Sequence, residues 1–227
     1  MKIVHANSLA ATLDALNEVF FHGEALSKGE RSEAARWLAS RQGSKDSYRG
    51  MFAPTSLDYR RGIKLFTGER VVSGAAVGHI LGEEASRALI LLNGSSVARE
   101  ALKRSNRGMI KALASCETRS RVRGFYCCGI CTAALWRHLA VGGLNRSSER
   151  LSAGLRVLTK YRDGTGKWRR FPFYYTLLAL SEIDGRQALD ELHYVAPQCE
   201  RLLGRYRAKN KIATRRRMLL QRILAMC

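Results

Sequence analysis

The chain has 227 residues, 46% apolar and 8% aromatic, with 39 Lys and Arg against 19 Asp and Glu, a formal net charge of +20. That apolar share supports a buried core and excludes a disordered basic protein. The uncharged runs Gly124–Trp136 and Phe171–Ser181 fall short of the ~20 apolar residues of a membrane span.

In chain order, Met1 to Thr12 lacks the long apolar stretch and small-residue cleavage site of a secretory signal. The expectation is a cytoplasmic protein whose six cysteines are reduced thiols. Leu9, Leu13, Leu16, Val19 and Phe20 recur at helical spacing and predict a first helix. Ser32 is a fitting N-cap for a second helix over Ala34–Gln42, with Trp37 and Leu38 inward. A long connection follows from Tyr48 through Met51–Thr55 and Asp58–Arg61 to Phe66–Glu69, and such loops in helical domains are often functional. Ile80 to Leu92 predicts a helix closed by Asn93-Gly94. Further helices are predicted at 97–116, 130–141, 148–161, 173–183, 186–206 and 211–225. The fold class is all-α, built of helical hairpins in nine or ten helices. Residues 1–206 are expected to form one domain and 207–227 a basic C-terminal helix or arm.

Charge is distributed unevenly. Residues 1–100 hold 13 basic and 11 acidic side chains, whereas residues 101–227 hold 26 and 8. Arg201 to Cys227 contains nine basic side chains and no acidic one. Like charges this dense oppose compaction unless a polyanion neutralises them, which points to nucleic acid as the partner class. In the tail, Ile212, Leu219, Ile223 and Met226 form a docking stripe that would leave Arg215, Arg216 and Arg217 outward. The apolar face is modest, so an anionic membrane surface is the weaker partner.

A weak repeat underlies the pattern. A shift of 44 residues sets Gly108–Leu139 beside Ser152–Ile183, each unit reading helix, glycine-containing turn, aromatic, helix. The segment Gly154–Asp184, with its Asp163-Gly164 turn, Trp168 and Thr/Ala/Leu-rich second helix, resembles one repeat of the prenyltransferase and squalene-cyclase α/α-toroid families. Ala35–Gly43 followed by Tyr48–Phe52 is a looser echo, and the resemblance covers about a third of the chain. It implies helical hairpins arranged as a toroid or solenoid. It carries no activity across, because neither a DxDD nor a DDxxD acid cluster is present, and a toroid typically uses twelve helices.

The loop Arg162–Arg170 is the richest candidate site. Its glycines allow close backbone approach to a phosphate. Arg162, Lys167, Arg169 and Arg170 supply charge-assisted donors, and Trp168 a ring on which a base could stack. Were the protein to act on nucleic acid, Lys160, Asp163, Lys167 and Glu182 could provide an amine and a carboxylate. The phosphate-binding set is completed by Arg215, Arg216 and Arg217. The aromatic run Phe171–Tyr175 reads mostly as core behind Pro172, and so does Tyr126.

Cys127, Cys131 and His138 would share one helix face, with Cys128 beside them and Cys116 or Cys199 able to complete a tetrahedron. A structural zinc site usually shows two separated ligand pairs, so these cysteines are read as core and neither metal nor cofactor is expected. A reactive thiol is the remaining alternative, its thiolate favoured by nearby arginines. His79 and Glu83, one helical turn apart, could pair a base with its orienter, against a plain helix-surface contact such as Glu83–Arg87. His138–Leu144 bears a faint likeness to a helix–hairpin–helix element, though Gly142-Gly143 also fits a simple helix stop.

The function expected is nucleic-acid binding through the basic C-terminal half, DNA before RNA, with repair-type chemistry on DNA as an extension. The rival from another class is a toroid-like enzyme or binding protein for an apolar or diphosphate ligand, using a cavity lined by Trp168, Tyr174 and Tyr175. A third is an interaction module whose tail docks on an acidic protein.

Overall fold

The computed structural model describes residues 2–120, 124–207 and 210–227, with only the backbone of 118–120. Residues 121–123 of the first repeat unit and Lys209 of the basic tail lie outside the described residues. Among the described residues are ten α-helices and one hairpin of two-residue strands, so the fold is all-α. No described helix is long and apolar enough to cross a membrane. By its contacts the chain divides into two compact units.

Unit 1 comprises residues 1–65, 70–115 and 141–145. Helix α1 (Leu9–His22) starts at Ser8, whose hydroxyl accepts from the Ala11 amide. Helix α2 (Lys28–Ser40) starts earlier than the apolar period suggests. Ser27 and Glu30 form a reciprocal capping box there, and Ser32 is an exposed interior residue. The long connection is structural. Met51, Phe52 and Ala53 are buried. Asp58 in α3 (Ser56–Arg61) accepts from the Ser8 hydroxyl (2.6 Å), the Leu9 amide (2.9 Å) and the Thr55 amide (2.9 Å), so one carboxylate caps two helices. Strands β1 (Ile63–Lys64) and β2 (Arg70–Val71) pair antiparallel.

Helix α4 (Gly74–Leu92) is the centre of unit 1 and packs on α1, α2 and α3. Every residue from Val77 to Leu89 is buried, the mark of a helix surrounded on all sides. Glycines make that possible, since a Cβ on Gly82 would stand 2.9 Å from the Met51 side chain. Helix α5 (Ser96–Ser120) follows, with unit 1 holding it as far as Ser115. It buries Ala98, Ala101, Ser105, Met109, Ala112 and Leu113, which recur every three or four residues.

Unit 2 comprises residues 66–69, 116–140 and 146–227. Its helices are α6 (Gly129–Ala140), α7 (Ser147–Thr159), α8 (Phe173–Leu180), α9 (Arg186–Arg205) and α10 (Lys211–Met226). Helix α6 packs on α7 and α8, α9 on α7 and α8, and α10 on α8 and α9. Gly154 lets α7 close on α6, because a Cβ there would meet the Trp136 indole nitrogen at 2.3 Å. Helices α6 and α8 begin 44 residues apart, and the carbonyls of Cys128 and Pro172 accept their first amides, from Thr132 and Thr176, at 2.9 Å each. Of the helix or arm expected at the C-terminal end, residues 211–226 form the helix. Leu219, Leu220 and Ile223 of α10 have no exposed surface, so their burial ties residues 211–226 into the core.

Gly108 tests the packing of α5. A Cβ there would lie 1.9 Å from the Arg49 carbonyl oxygen, an immovable backbone contact, whereas nothing stands within 4 Å of a Cβ on Gly204 in α9. Gly108→Ala is expected to lower stability in urea unfolding by about 1–3 kcal/mol, and Gly204→Ala to raise it by up to ~1 kcal/mol. A Gly108→Ala midpoint at or above wild type would refute the close approach.

Candidate nucleic-acid interface

The Arg162–Arg170 loop is held by its own acid. Arg162 and Trp168 pair as an antiparallel bridge. Asp163 Oδ1 accepts from the Thr165 amide (2.8 Å), the Thr165 hydroxyl (2.9 Å) and the Lys167 amide (3.2 Å). The Thr165 amide above all holds this carboxyl below its usual range, with the Thr165 hydroxyl, the Lys167 amide and Tyr194 assisting. The Gly164 amide donates to the Tyr194 hydroxyl at 3.0 Å. The amides expected to cradle a phosphate are therefore already engaged, and Asp163 organises the turn.

Trp168 requires a correction. Its ring is 4% exposed, against Phe173 and Tyr194, and its indole N–H donates to Glu191 Oε2 at 2.7 Å. A base has no access to that face. Glu191, itself 1% exposed, also accepts from the Thr159 hydroxyl (2.6 Å) and from Arg162 (3.1 Å). The Arg162 guanidinium further lies 4.5 Å from the Tyr194 ring centroid. Arg162 is thus neutralised in place and leaves the phosphate-binding set. Lys160, Lys167, Arg169 and Arg170 are exposed. The Arg169 amide donates to the Tyr161 carbonyl at 2.8 Å, which sets Arg169 beside Lys160. Arg156, one turn before Lys160 on α7, is exposed as well.

The tail arginines divide in the same way. Arg215 is buried, donates to the Phe66 carbonyl at 3.1 Å and lies 4.0 Å from the Phe66 ring centroid. Arg216 donates to the Thr67 carbonyl at 2.6 Å and covers Tyr174, whose hydroxyl burial pushes up to about 12. Of the three predicted to face outward, Arg217 does so fully. Arg201, Arg205, Arg207 and Lys211 around the α9–α10 turn are exposed too.

A further cationic surface lies on α5. Arg99, Lys103, Arg107 and Lys111 are exposed at successive four-residue intervals, a row rising about 6 Å with each four-residue step. Arg104 beside it donates to Gln42 at 2.5 Å. Lys103, Arg107 and Lys111 belong to the basic half, residues 101–227, but the sites expected there were the Arg162–Arg170 loop and Arg215–Arg217, although the four-residue spacing of cations within a predicted helix is visible in the sequence.

The other candidates are placed as follows. Glu182 takes a two-pronged pair from buried Arg137, both contacts 2.9 Å, and so serves as the counter-ion of a core guanidinium. His79 and Glu83 are a buried pair, Nε2 to Oε1 3.5 Å, with Tyr48 stacked on the imidazole at 4.8 Å. The helix-surface reading of this pair is thereby corrected. Arg87 donates to Asn17, which in turn donates to Glu84. Tyr175 exposes no surface, so no water-sized cavity opens on its ring, and Phe171 packs on Trp136 at 5.5 Å. Gly143 belongs to a turn whose carbonyl accepts from Asn106 at 2.5 Å. Cys127 and Cys128 precede α6, so the shared helix face joins only Cys131 and His138, both buried.

Comparison with protein-family models, curated proteins and solved structures gives no match to this chain.

Glu191 is the test of the loop's anchoring. Glu191→Ala would strand three donors from Thr159, Arg162 and Trp168, and is expected to cost about 3–5 kcal/mol. Arg217→Ala should stay within ~0.5 kcal/mol. Chemical denaturation of both variants checks this, and equal midpoints would contradict the anchoring role.

Proposed function

We propose that the protein binds nucleic acid through cations that its own fold leaves unneutralised. The α5 row carries the reading. Arg99, Lys103, Arg107 and Lys111 form three like-charged pairs at i,i+4, each opposing the helix by about 0.2–0.5 kcal/mol. The Glu100–Lys103 contact at 3.9 Å is exposed and offsets little of that. A polyanion laid along the helix reverses the sign of this interaction, and it gains further from counterion release. Arg156, Lys160, Lys167, Arg169 and Arg170 on unit 2 supply a second set of exposed donors.

The reading is binding, with catalysis receding. Asp163 and Glu182 are committed to their turn and to Arg137, which removes the carboxylates that a repair-type reaction would have drawn on. DNA remains the first partner to test. Phosphate contacts of this kind carry affinity without base sequence.

Fluorescence anisotropy against duplex and single-stranded DNA of arbitrary sequence is the measurement. Neutralising ~6 phosphates gives a slope of log K on log salt near −5 for duplex. Replacing Lys103, Arg107 and Lys111 by Gln together should flatten that slope by about 3 and leave the unfolding midpoint unchanged or raised. Absence of salt-dependent binding below tens of micromolar at low salt would end the reading. Binding that the triple variant leaves intact would move the interface off α5.

A further inference from the structure

The three cysteines around residue 128 are arranged for chemistry that nucleic-acid binding does not use. Cys128-Gly129-Ile130-Cys131 is a C-x-x-C sequence at the start of α6. The Cys128 carbonyl accepts the Thr132 amide at 2.9 Å and the Thr132 hydroxyl at 2.7 Å, so Cys128 is the helix N-cap. Its sulfur stands where an N-cap side chain receives the orphan amides of the first turn. The Cys127 sulfur lies 4.0 Å from it. Cys128 is half-buried and Cys131 has no exposed surface.

The surrounding backbone fixes this geometry. The Tyr126 amide donates to the Thr132 hydroxyl at 3.0 Å, pinning the chain just before the cysteines. A Cβ on Gly129 would sit 2.1 Å from the Arg170 carbonyl oxygen, so only glycine fits directly after Cys128. Arg170 itself takes a left-handed backbone, φ 66°, where it passes over this helix start.

We propose that Cys128 and Cys131 form a redox-active dithiol that exchanges with disulfides, Cys128 as the attacking sulfur and Cys131 as the resolving one. Hydrogen bonds from the Cys127 thiol first, the Cys131 thiol next, and then the Cys131 and Ile130 amides hold Cys128 as a thiolate far below the ordinary thiol range, against the opposing effect of burial. Burial pushes Cys199 the other way, to about 12, and leaves it an inert thiol. The co-reactant is a small-molecule or protein disulfide, R–S–S–R. Cys128 attacks one of its sulfurs, forming Cys128–S–S–R and expelling RS⁻. The Cys131 thiol gives its proton to the departing thiolate, and its sulfur displaces the second RS⁻ from Cys128. The chain ends as a Cys128–Cys131 disulfide, and two electrons leave with two reduced R–S groups.

The full chain is equilibrated with glutathione disulfide and glutathione at set ratios, quenched in acid and mapped by mass spectrometry. The expected product is a Cys128–Cys131 disulfide that reverts on raising glutathione. Cys131→Ser, or Cys131→Ala if the first fails to fold, should trap glutathione on Cys128 instead. In the wild type, alkylation of Cys128 should be nearly flat from pH 5 to 8, where an ordinary thiol gains roughly tenfold per pH unit. A Cys127–Cys128 disulfide, no disulfide at any ratio, Cys128 alkylation rising like that of an ordinary thiol, or stoichiometric metal on the purified protein would each overturn the assignment. These readouts are independent of DNA binding.

Discussion

A buried guanidinium cannot shed its charge, so each one must find acceptors and a surface willing to face it. This chain meets that constraint with one repeated device, an arginine laid over an aromatic ring while its N–H groups donate to a nearby oxygen. Arg87 covers Phe20 and donates to Asn17. Arg137 lies over Tyr175 and donates to Glu182, and Arg215 covers Phe66 and donates to its carbonyl. The half-buried Arg162 and Arg216 repeat it on Tyr194 and Tyr174. Each stack is worth about 0.5–2 kcal/mol. The larger point is that an unanswered buried charge would not be tolerated at all. In unit 2 these contacts fasten the loop, α8, α9 and α10 to one another.

Formal charge therefore overstates the surface that a polyanion would meet. Unit 2 has 22 Lys and Arg against 9 Asp and Glu, yet Arg137 and Arg215 are internal, and Arg162 and Arg216 are spent on ring and oxygen contacts. The outward cations are the ones whose side chains the fold leaves in water, among them those on α5 and in the α7–α8 and α9–α10 connections. The same accounting applies to some of the acids. Asp58, Asp163 and Glu191 each receive three or more hydrogen bonds from neighbouring amides and side chains, so these three are held by the fold.

Helix periodicity was legible because a helix buries one stripe of its surface, and positions such as Leu9, Leu13 and Leu16 declare it. The helix starts were less so. Ser27–Glu30 is a capping signature written in polar residues, and it lies ahead of the apolar period that directed attention to Ser32. The division into two units was not legible either, since α5 passes through the boundary with no break in pattern. Arg215 and Trp168 were misplaced for a single reason. Arginine and tryptophan each carry an apolar body and a polar tip, so Arg215 and Trp168 suit an interior as well as a surface. Only the positions of Phe66 and Glu191, distant in sequence, decide between the two.

The paired starts of α6 and α8 separate what the fold demands from what it merely permits. Both helices begin behind a residue whose carbonyl accepts the first amide, Cys128 in one and Pro172 in the other. Proline shows that no sulfur is needed to start a helix in this setting. The residue after it is Phe173 in α8, whereas α6 must use Gly129 because the Arg170 backbone passes too close for any side chain. Packing thus explains the glycine of the C-x-x-C and the buried position of Cys131. It leaves unexplained a thiol at the helix cap and a second thiol exposed beside it, where serine would cap as well and resist oxidation. A residue type that is costly to keep reduced, placed where neighbouring thiols and then backbone amides favour its ionised form, is better accounted for by its chemistry than by its packing.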